Sequence, residues 1–166
     1  MALNQSALMG TTMYGTGILT PTALVVDTSL YTTGDCVAGV LSIPDFVREP
    51  GRLSRVEVVT LGCLAANTGL AFDLLFLNAN IGATSTLTDQ SAATIAAVDL
   101  AKWVDTLNIP ANAYTLIGAT AKARVAPVQM DIGPSSGTTM YCALVARSAP
   151  TYGALELSLA IKVLYL

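Results

Sequence analysis

The feature that most restricts the fold is a strict two-residue alternation near the end of the chain. Leu155, Leu157, Leu159, Ile161 and Val163 fall on one side of an extended backbone, and Glu156, Ser158, Ala160 and Lys162 fall on the other. Successive side chains of a strand point to opposite faces, so this period sets one face on a core and leaves the other solvated. A helix would scatter the same residues around its axis.

Upstream, short runs of β character recur between turn signals. Residues 22–26 are β-branched and apolar, and residues 36–43 are apolar between Gly34-Asp35 and Pro44. Arg55, Val56, Glu57 and Val58 alternate, and the pattern continues through Val59 and Leu61. Residues 70–77 are almost continuously apolar around Asp73, and residues 103–109 alternate weakly up to Pro110. Within residues 122–132, Val128, Met130 and Ile132 oppose Gln129 and Asp131, and Pro127 marks an edge strand or a bulge. Residues 139–146 form a further strand, entered through Pro134-Ser135-Ser136-Gly137. One helix is expected over residues 91–102, capped by Asp89. The reading is all-β: an antiparallel β-sandwich or barrel with Greek-key or jelly-roll connections.

A length of 166 residues suits one domain with a real core. Residues 1–26 carry no charge, and residues 10–22 are rich in Gly and Thr. We therefore expect an extended N-terminal arm over residues 1–21, followed by the sandwich domain over residues 22–166. A frayed terminus is the plain alternative. The absence of charge favours an arm that lies on a neighbouring subunit, because free solvated tails are usually polar.

Charge is scarce throughout. Hydrophobic residues make up 53% of the chain and charged residues 11%, against roughly 25% in ordinary soluble domains. A membrane is one explanation for such a chain, but no apolar run approaches the ~20 residues of a spanning helix. Asp73, Asp99, Lys102, Glu156 and Lys162 interrupt the longest ones. Burial against other protein subunits is the explanation that remains. The formal net charge is -3, and the only basic cluster, Arg48, Arg52 and Arg55, is interleaved with Glu49 and Glu57. No basic stripe for nucleic acid is present, so neither nucleic acid nor membrane is expected as a partner. Cys36, Cys63 and Cys142 are widely spaced in apolar segments, which reads as buried thiols of a protein folded in a reducing cytoplasm. Asn4, Gln5 and Gly10 interrupt the N-terminal apolar residues and no basic residue precedes them, so no signal peptide is expected.

Candidate chemistry is thin. The chain has no histidine, which removes the commonest general base, the commonest metal ligand and every Ser-His or Cys-His pair. Gly15-Thr16-Gly17 lacks the Gly-Lys-Ser/Thr that a phosphate loop requires. Asp73 is readable as a hydrolytic acid, but more simply as a structural acid paired with Arg124 or Arg147. Asn78, Asn80 and Asp89 offer oxygens to a calcium ion, yet their spacing is that of turn residues. Lys102 and Lys122 would form Schiff bases only if desolvated, and Trp103 reads as a core or interface residue rather than a ligand platform. The expectation is a non-enzymatic protein with no catalytic, cofactor-binding or metal-binding residue.

Several stretches taken in order carry a resemblance. They are Tyr31-Thr32-Thr33-Gly34-Asp35-Cys36-Val37-Ala38-Gly39-Val40-Leu41, Asp73-Leu74-Leu75-Phe76-Leu77-Asn78, Thr88-Asp89, Asp99-Leu100-Ala101-Lys102 and Tyr141-Cys142-Ala143-Leu144-Val145-Ala146-Arg147-Ser148-Ala149-Pro150-Thr151-Tyr152. With the final alternating strand, this order resembles a family of small virion proteins encoded near the head genes of tailed bacteriophages. Members with a role are similar to capsid decoration (cement) proteins, whose jelly-roll-like β-sandwich trimerises on the shell. The resemblance spans residues 31–166; it departs at Ala38-Gly39, where relatives show paired glycines, and at Asn80-Ile81, where a proline is common.

That resemblance implies a jelly-roll-like antiparallel β-sandwich, to which the reading of the residues adds the extended N-terminal arm and one short helix. It implies a virion protein made in the host cytoplasm and placed on the exterior of the capsid. Its partners would be the major capsid protein and itself, as a homotrimer, with no cofactor. The residues expected to make those contacts are Leu3, Leu8, Met9, Tyr14, Ile18, Leu19 and Pro21 of the arm, with Phe46 and Arg48 of the 46–51 loop. The alternative is a receptor- or glycan-binding domain of a tail fibre or spike. Clustered exposed aromatics would favour it, whereas Tyr14, Tyr31, Tyr114 and Tyr152 are dispersed.

Overall fold

A computed structural model describes residues 15–21, 24, 30–63, 70–149 and 157–166. Among the described residues ten strands follow one another: β1 (Thr16–Leu19), β2 (Cys36–Ile43), β3 (Ser54–Cys63), β4 (Phe72–Leu77), β5 (Trp103–Ile109), β6 (Tyr114–Ile117), β7 (Thr120–Val125), β8 (Met130–Ile132), β9 (Met140–Ala146) and β10 (Leu157–Tyr165). One sheet runs β1-β10-β3-β7-β6, with β8 also on β3, and the other runs β2-β9-β4-β5. Every pairing is antiparallel. β7 and β8 occupy successive stretches of the same edge of β3, at Val59–Cys63 and Ser54–Val56. Counted as one interrupted strand, with β6 as an added edge, they leave four strands in each sheet. The orders 1-10-3-7/8 and 2-9-4-5 are those of a jelly roll, two interlocked Greek keys.

The alternation of β10 becomes the core as the sequence requires. Leu157, Leu159, Ile161 and Val163 are buried against Val37, Leu41, Phe72, Leu74, Phe76, Met140 and Leu144 of the facing sheet. The opposite face of the six-stranded sheet is the charged one. Arg55 pairs there with Asp131 at 2.6 Å, and Lys162 with Glu57 at 2.8 Å. β4 does not alternate because both of its faces are covered: all six of its residues are buried. Phe72, Leu74 and Phe76 face the other sheet, while Leu75 and Leu77 face outward under residues 78–102.

Three features differ from the sequence-based expectation, and a fourth expected element lies almost wholly outside the described residues. Residues 16–19, assigned to the arm, form β1 and pair with β10 from Thr16↔Leu164 to Leu19↔Ile161. β6 was unanticipated; it returns into β7 through a two-residue Gly118-Ala119 turn, and Gly118 supplies the positive φ (62°) that such a hairpin needs. The strand expected over residues 22–26 lies almost wholly outside the described residues. The helix over residues 91–102 is reduced to a 3-10 turn at Ala97–Lys102, and Thr94 instead bridges to Thr86.

The helix fails to start because its expected cap serves another purpose. β2 carries a bulge between Val37 and Val40, with Ala38 (φ 67°) and Gly39 (φ 74°) both left-handed. The Ala38 N–H, turned out of the ladder, donates to Asp89 Oδ1 at 2.7 Å, and the Tyr31 hydroxyl donates to the same oxygen at 2.7 Å. Asp89 therefore fastens the outer loop to the bulge, with fully buried Tyr31 beneath it. Removing the carboxylate leaves two donors short of a charged acceptor. Asp89→Ala is expected to lower the urea-unfolding free energy by about 2 kcal/mol, and Asp89→Asn by less, since its amide oxygen still accepts.

Candidate functional site

The outward face of the β2-β9-β4-β5 sheet is the most elaborated surface of the described residues. Cys36, Leu75, Leu77, Ala143 and Val145 project from the strands and meet Leu87 in a second apolar cluster, which Ile81, Ala93 and Ile95 flank. A single buried carboxylate organises the covering segment. Asp99 accepts from Lys102 Nζ at 2.8 Å, from the Gly82 N–H at 2.9 Å and from Ser85 Oγ at 2.6 Å. Ser85 Oγ in turn accepts from the Ala96 N–H at 3.0 Å, and Lys102 Nζ also donates to the Asn80 carbonyl at 3.0 Å. The hydrogen bond and charge of Lys102, then the bonds from Ser85 and Gly82, hold the Asp99 carboxyl below the usual carboxylate range.

The cover stops short of one end of the sheet, and a groove of about 490 Å³ opens there. Leu75, Val145, Ile95 and Leu100 supply apolar wall, and Trp103 and Arg147 stand among the lining residues. β5 has one extra residue at Val104, since Phe76 pairs with Asp105 but Leu77 with Trp103. The indole lies along its own strand, donating from Nε1 to the Asp105 carbonyl at 3.1 Å and to Thr106 Oγ1 at 2.8 Å. Nevertheless the Trp103 residue is 41% exposed. Beside it, Asp73 is buried and accepts both Nε and Nη2 of Arg147, together with Asn108 Nδ2 at 3.0 Å.

Asp73 is thus an ion-paired acid whose partner is Arg147 of the two arginines considered; Arg124 sits exposed on β7. Asn78 and Asn80 line a recess with Tyr141 in which Asp89 takes no part, its Oδ1 being engaged by Ala38 and Tyr31 instead. No group of three or more acidic or Cys side chains able to hold a metal occurs among the described residues. Gly15-Thr16-Gly17 leads into an edge strand, and its Gly17 carbonyl and amide belong to the β1–β10 pairing. Lys102 is tied to Asp99, and Lys122 is exposed on β7.

Of the contact residues expected from the sequence, Leu3, Leu8, Met9 and Tyr14 lie outside the described residues. Ile18 is 75% exposed on β1, while Leu19 beside it turns inward to pack on the core. Pro21 is half-buried. Phe46 is a correction: it is completely buried in the main core and offers no surface to a partner, because the loop after β2 folds back with the Phe46 N–H on the Thr138 carbonyl. Arg48 is exposed, with its guanidinium 4.8 Å from the centre of the Tyr165 ring. Sequence reasoning missed the exposed apolar residues Val98, Leu100, Val104, Leu116 and Ile117. Their only signal is apolar character at strand ends and turns, where no period distinguishes an outward residue from an inward one.

No family model, curated protein or solved structure matches this chain.

Two outcomes follow from these environments. A carboxyl held low in the folded state stabilises the protein above its ordinary range, near pH 4, and that contribution is lost as pH falls through the folded value. Wild-type stability is therefore expected to fall more steeply than that of Asp99→Asn when acid denaturation is followed below about pH 4. The three cysteines are buried; burial pushes the Cys36 thiol up to about 12 and raises that of Cys142 as well. Native protein at pH 8 should leave Ellman's reagent unreacted, and all three thiols should titrate once the chain is unfolded.

Proposed function

We propose that this chain is a structural subunit that decorates the outside of a tailed-bacteriophage head, bound as a homotrimer to the major capsid protein. The observation that carries this reading is the distribution of apolar surface on a charge-poor jelly roll. Ile18 on β1, Leu116 and Ile117 on β6, and Trp103 and Val104 on β5 are exposed, and all three strands lie at sheet edges. Charged pairs occupy the outer face of the six-stranded sheet, and Ile18, which pairs across the strands with Lys162, stands at the margin of that face. Such a molecule has one face suited to solvent and flanks suited to neighbours. Jelly rolls recur in viral shell proteins, although a fold alone does not assign a role, and the sequence resemblance adds the phage head.

The physical task asks for no active site. A subunit that binds only the assembled lattice stabilises that state by mass action. Three copies joined in a trimer raise one another's effective concentration at the shell, so weak contacts suffice.

Sedimentation of the purified full chain is expected to show a trimer at micromolar concentration. Mixing it with heads stripped of decoration should give saturable binding and a higher temperature of head disruption. Ile18→Asp should weaken that binding by at least about tenfold, a loss of roughly 1.4 kcal/mol, without changing the circular dichroism spectrum. A chain that stays monomeric at high concentration and does not bind stripped heads would overturn the proposal.

A further inference from the structure

We infer that the groove between the four-stranded sheet and residues 78–102 is a binding site for an apolar ligand ending in a carboxylate. This site shares Trp103 of edge strand β5 with the surface proposed for assembly, but its other walls and Arg147 lie away from the exposed edges β1 and β6, so Ile18→Asp, which tests assembly, should leave ligand binding unchanged. Its volume, about 490 Å³, falls within the roughly 300–1,000 Å³ of pockets that enclose small molecules. The floor comes from strand residues fixed by ladder pairing on both sides, Leu75 and Val145. The far wall comes from Ile95 and Leu100, on a segment anchored through Asp99 and Asp89. The walls are therefore in place before a ligand arrives, which spares the cost of ordering them.

Trp103 is the second element. Its N–H is already spent on Asp105 and Thr106, so the indole has no donor to offer and its exposed part presents only apolar ring. An aliphatic chain is the complement of that surface. The third element is the polar end. The two members of the Asp73–Arg147 pair are unequally placed: the Arg147 side chain is 53% exposed and that of Asp73 only 9%. Asp73 is filled by Arg147 and Asn108, whereas Arg147 uses Nε and Nη2 and keeps Nη1 without a protein partner among the described residues. What the groove shows to an incoming ligand is thus an unspent guanidinium edge, the chemistry that recognises a carboxylate. Apolar contact supplies most of the affinity, since a half-exposed ion pair adds little.

The chain contains one tryptophan, so emission of Trp103 reports the groove directly. The full-length protein is titrated with decanoate, decanol and decylamine, each below its aggregation limit. Decanoate is expected to shift the emission to shorter wavelength along a saturable curve. Decanol should bind about fivefold more weakly, and decylamine more weakly still. Ala93→Phe, which fills the groove, should abolish the shift. Leu100→Glu, at an exposed rim position that the fold does not need, should weaken decanoate more than decanol. The double variant Asp73→Asn with Arg147→Gln keeps a neutral hydrogen-bonded pair and should erase the preference for decanoate while sparing decanol. A linear, unsaturable response overturns the site. So does a response that survives both Ala93→Phe and Leu100→Glu, and decylamine binding as tightly as decanoate overturns the assignment of a carboxylate ligand.

Discussion

The rest of the structure depends on a sheet that is apolar on both faces. In β4, Phe72, Leu74 and Phe76 enter the sandwich while Leu75 and Leu77 point the other way. Val145 and Ala143 of β9 and Cys36 of β2 extend that second apolar face. Leaving it in water would forfeit about 1.5–3 kcal/mol for each large side chain. A two-layer jelly roll has nothing to put there, so the 25 residues between β4 and β5, residues 78–102, must fold over the sheet. That cover has almost no regular structure, and its backbone polar groups need partners from elsewhere. Two aspartates meet that need. Asp99 gathers Gly82, Ser85 and Lys102, and Asp89 ties the middle of the segment to the bulge in β2.

Those anchors also account for part of the surface chemistry. The chain has eleven acidic residues in all, and three of them, Asp73, Asp89 and Asp99, are engaged inside the fold. Their counter-charges Lys102 and Arg147 are engaged with them. The surface is therefore poorer in free charge than the composition implies. Carboxylates serve this purpose because a single group accepts several hydrogen bonds at once, and bonds to a charged acceptor are stronger than neutral ones. The groove exists where this cover ends, and the Asp73–Arg147 pair marks that end.

Much of the fold was legible in the sequence, and the reasons for the misses are specific. Residues 36–43 and 103–109 became β2 and β5 without a change of boundary, because turn residues or Pro punctuate them. Pro127, read as the mark of an edge strand or a bulge, instead divides the strand expected over residues 122–132 into β7 and β8, and the Val128 N–H bonds to the Glu57 carbonyl outside the regular ladder. The Ala-rich stretch 91–102 looked helical through intrinsic propensity, which tertiary pairing overrode once Asp89 was committed to Ala38. β6 was missed although Gly118-Ala119 between apolar residues is a hairpin signal. Phe46 was misplaced because a loop position was equated with exposure. Asp73 as an ion-paired acid was legible; the groove was not, since Ile95, Leu100 and Trp103 meet Val145 only through long-range topology.

The edges of the two sheets bring these threads together. Among the described residues β1, β6, β8, β2 and β5 have a free edge, and only Asp105 and Asp131 are charged among them. Natural edge strands are usually protected from pairing with other chains by charge, Pro, brevity or a bulge. Here charge is almost absent and the other devices carry the protection: β1 and β6 have four residues each, and β2 and β5 are bulged at Ala38-Gly39 and Val104. Brevity and bulges limit how far a foreign strand can extend along an edge, but they do not repel an apolar partner as Lys or Glu would. A chain built for solitary life would place charge at these positions at little cost, as it does at Arg55, Glu57 and Lys162 on the six-stranded sheet. Edges that permit contact yet resist open-ended strand stacking are compatible with the closed oligomer proposed above, in which contacts are finite and do not propagate.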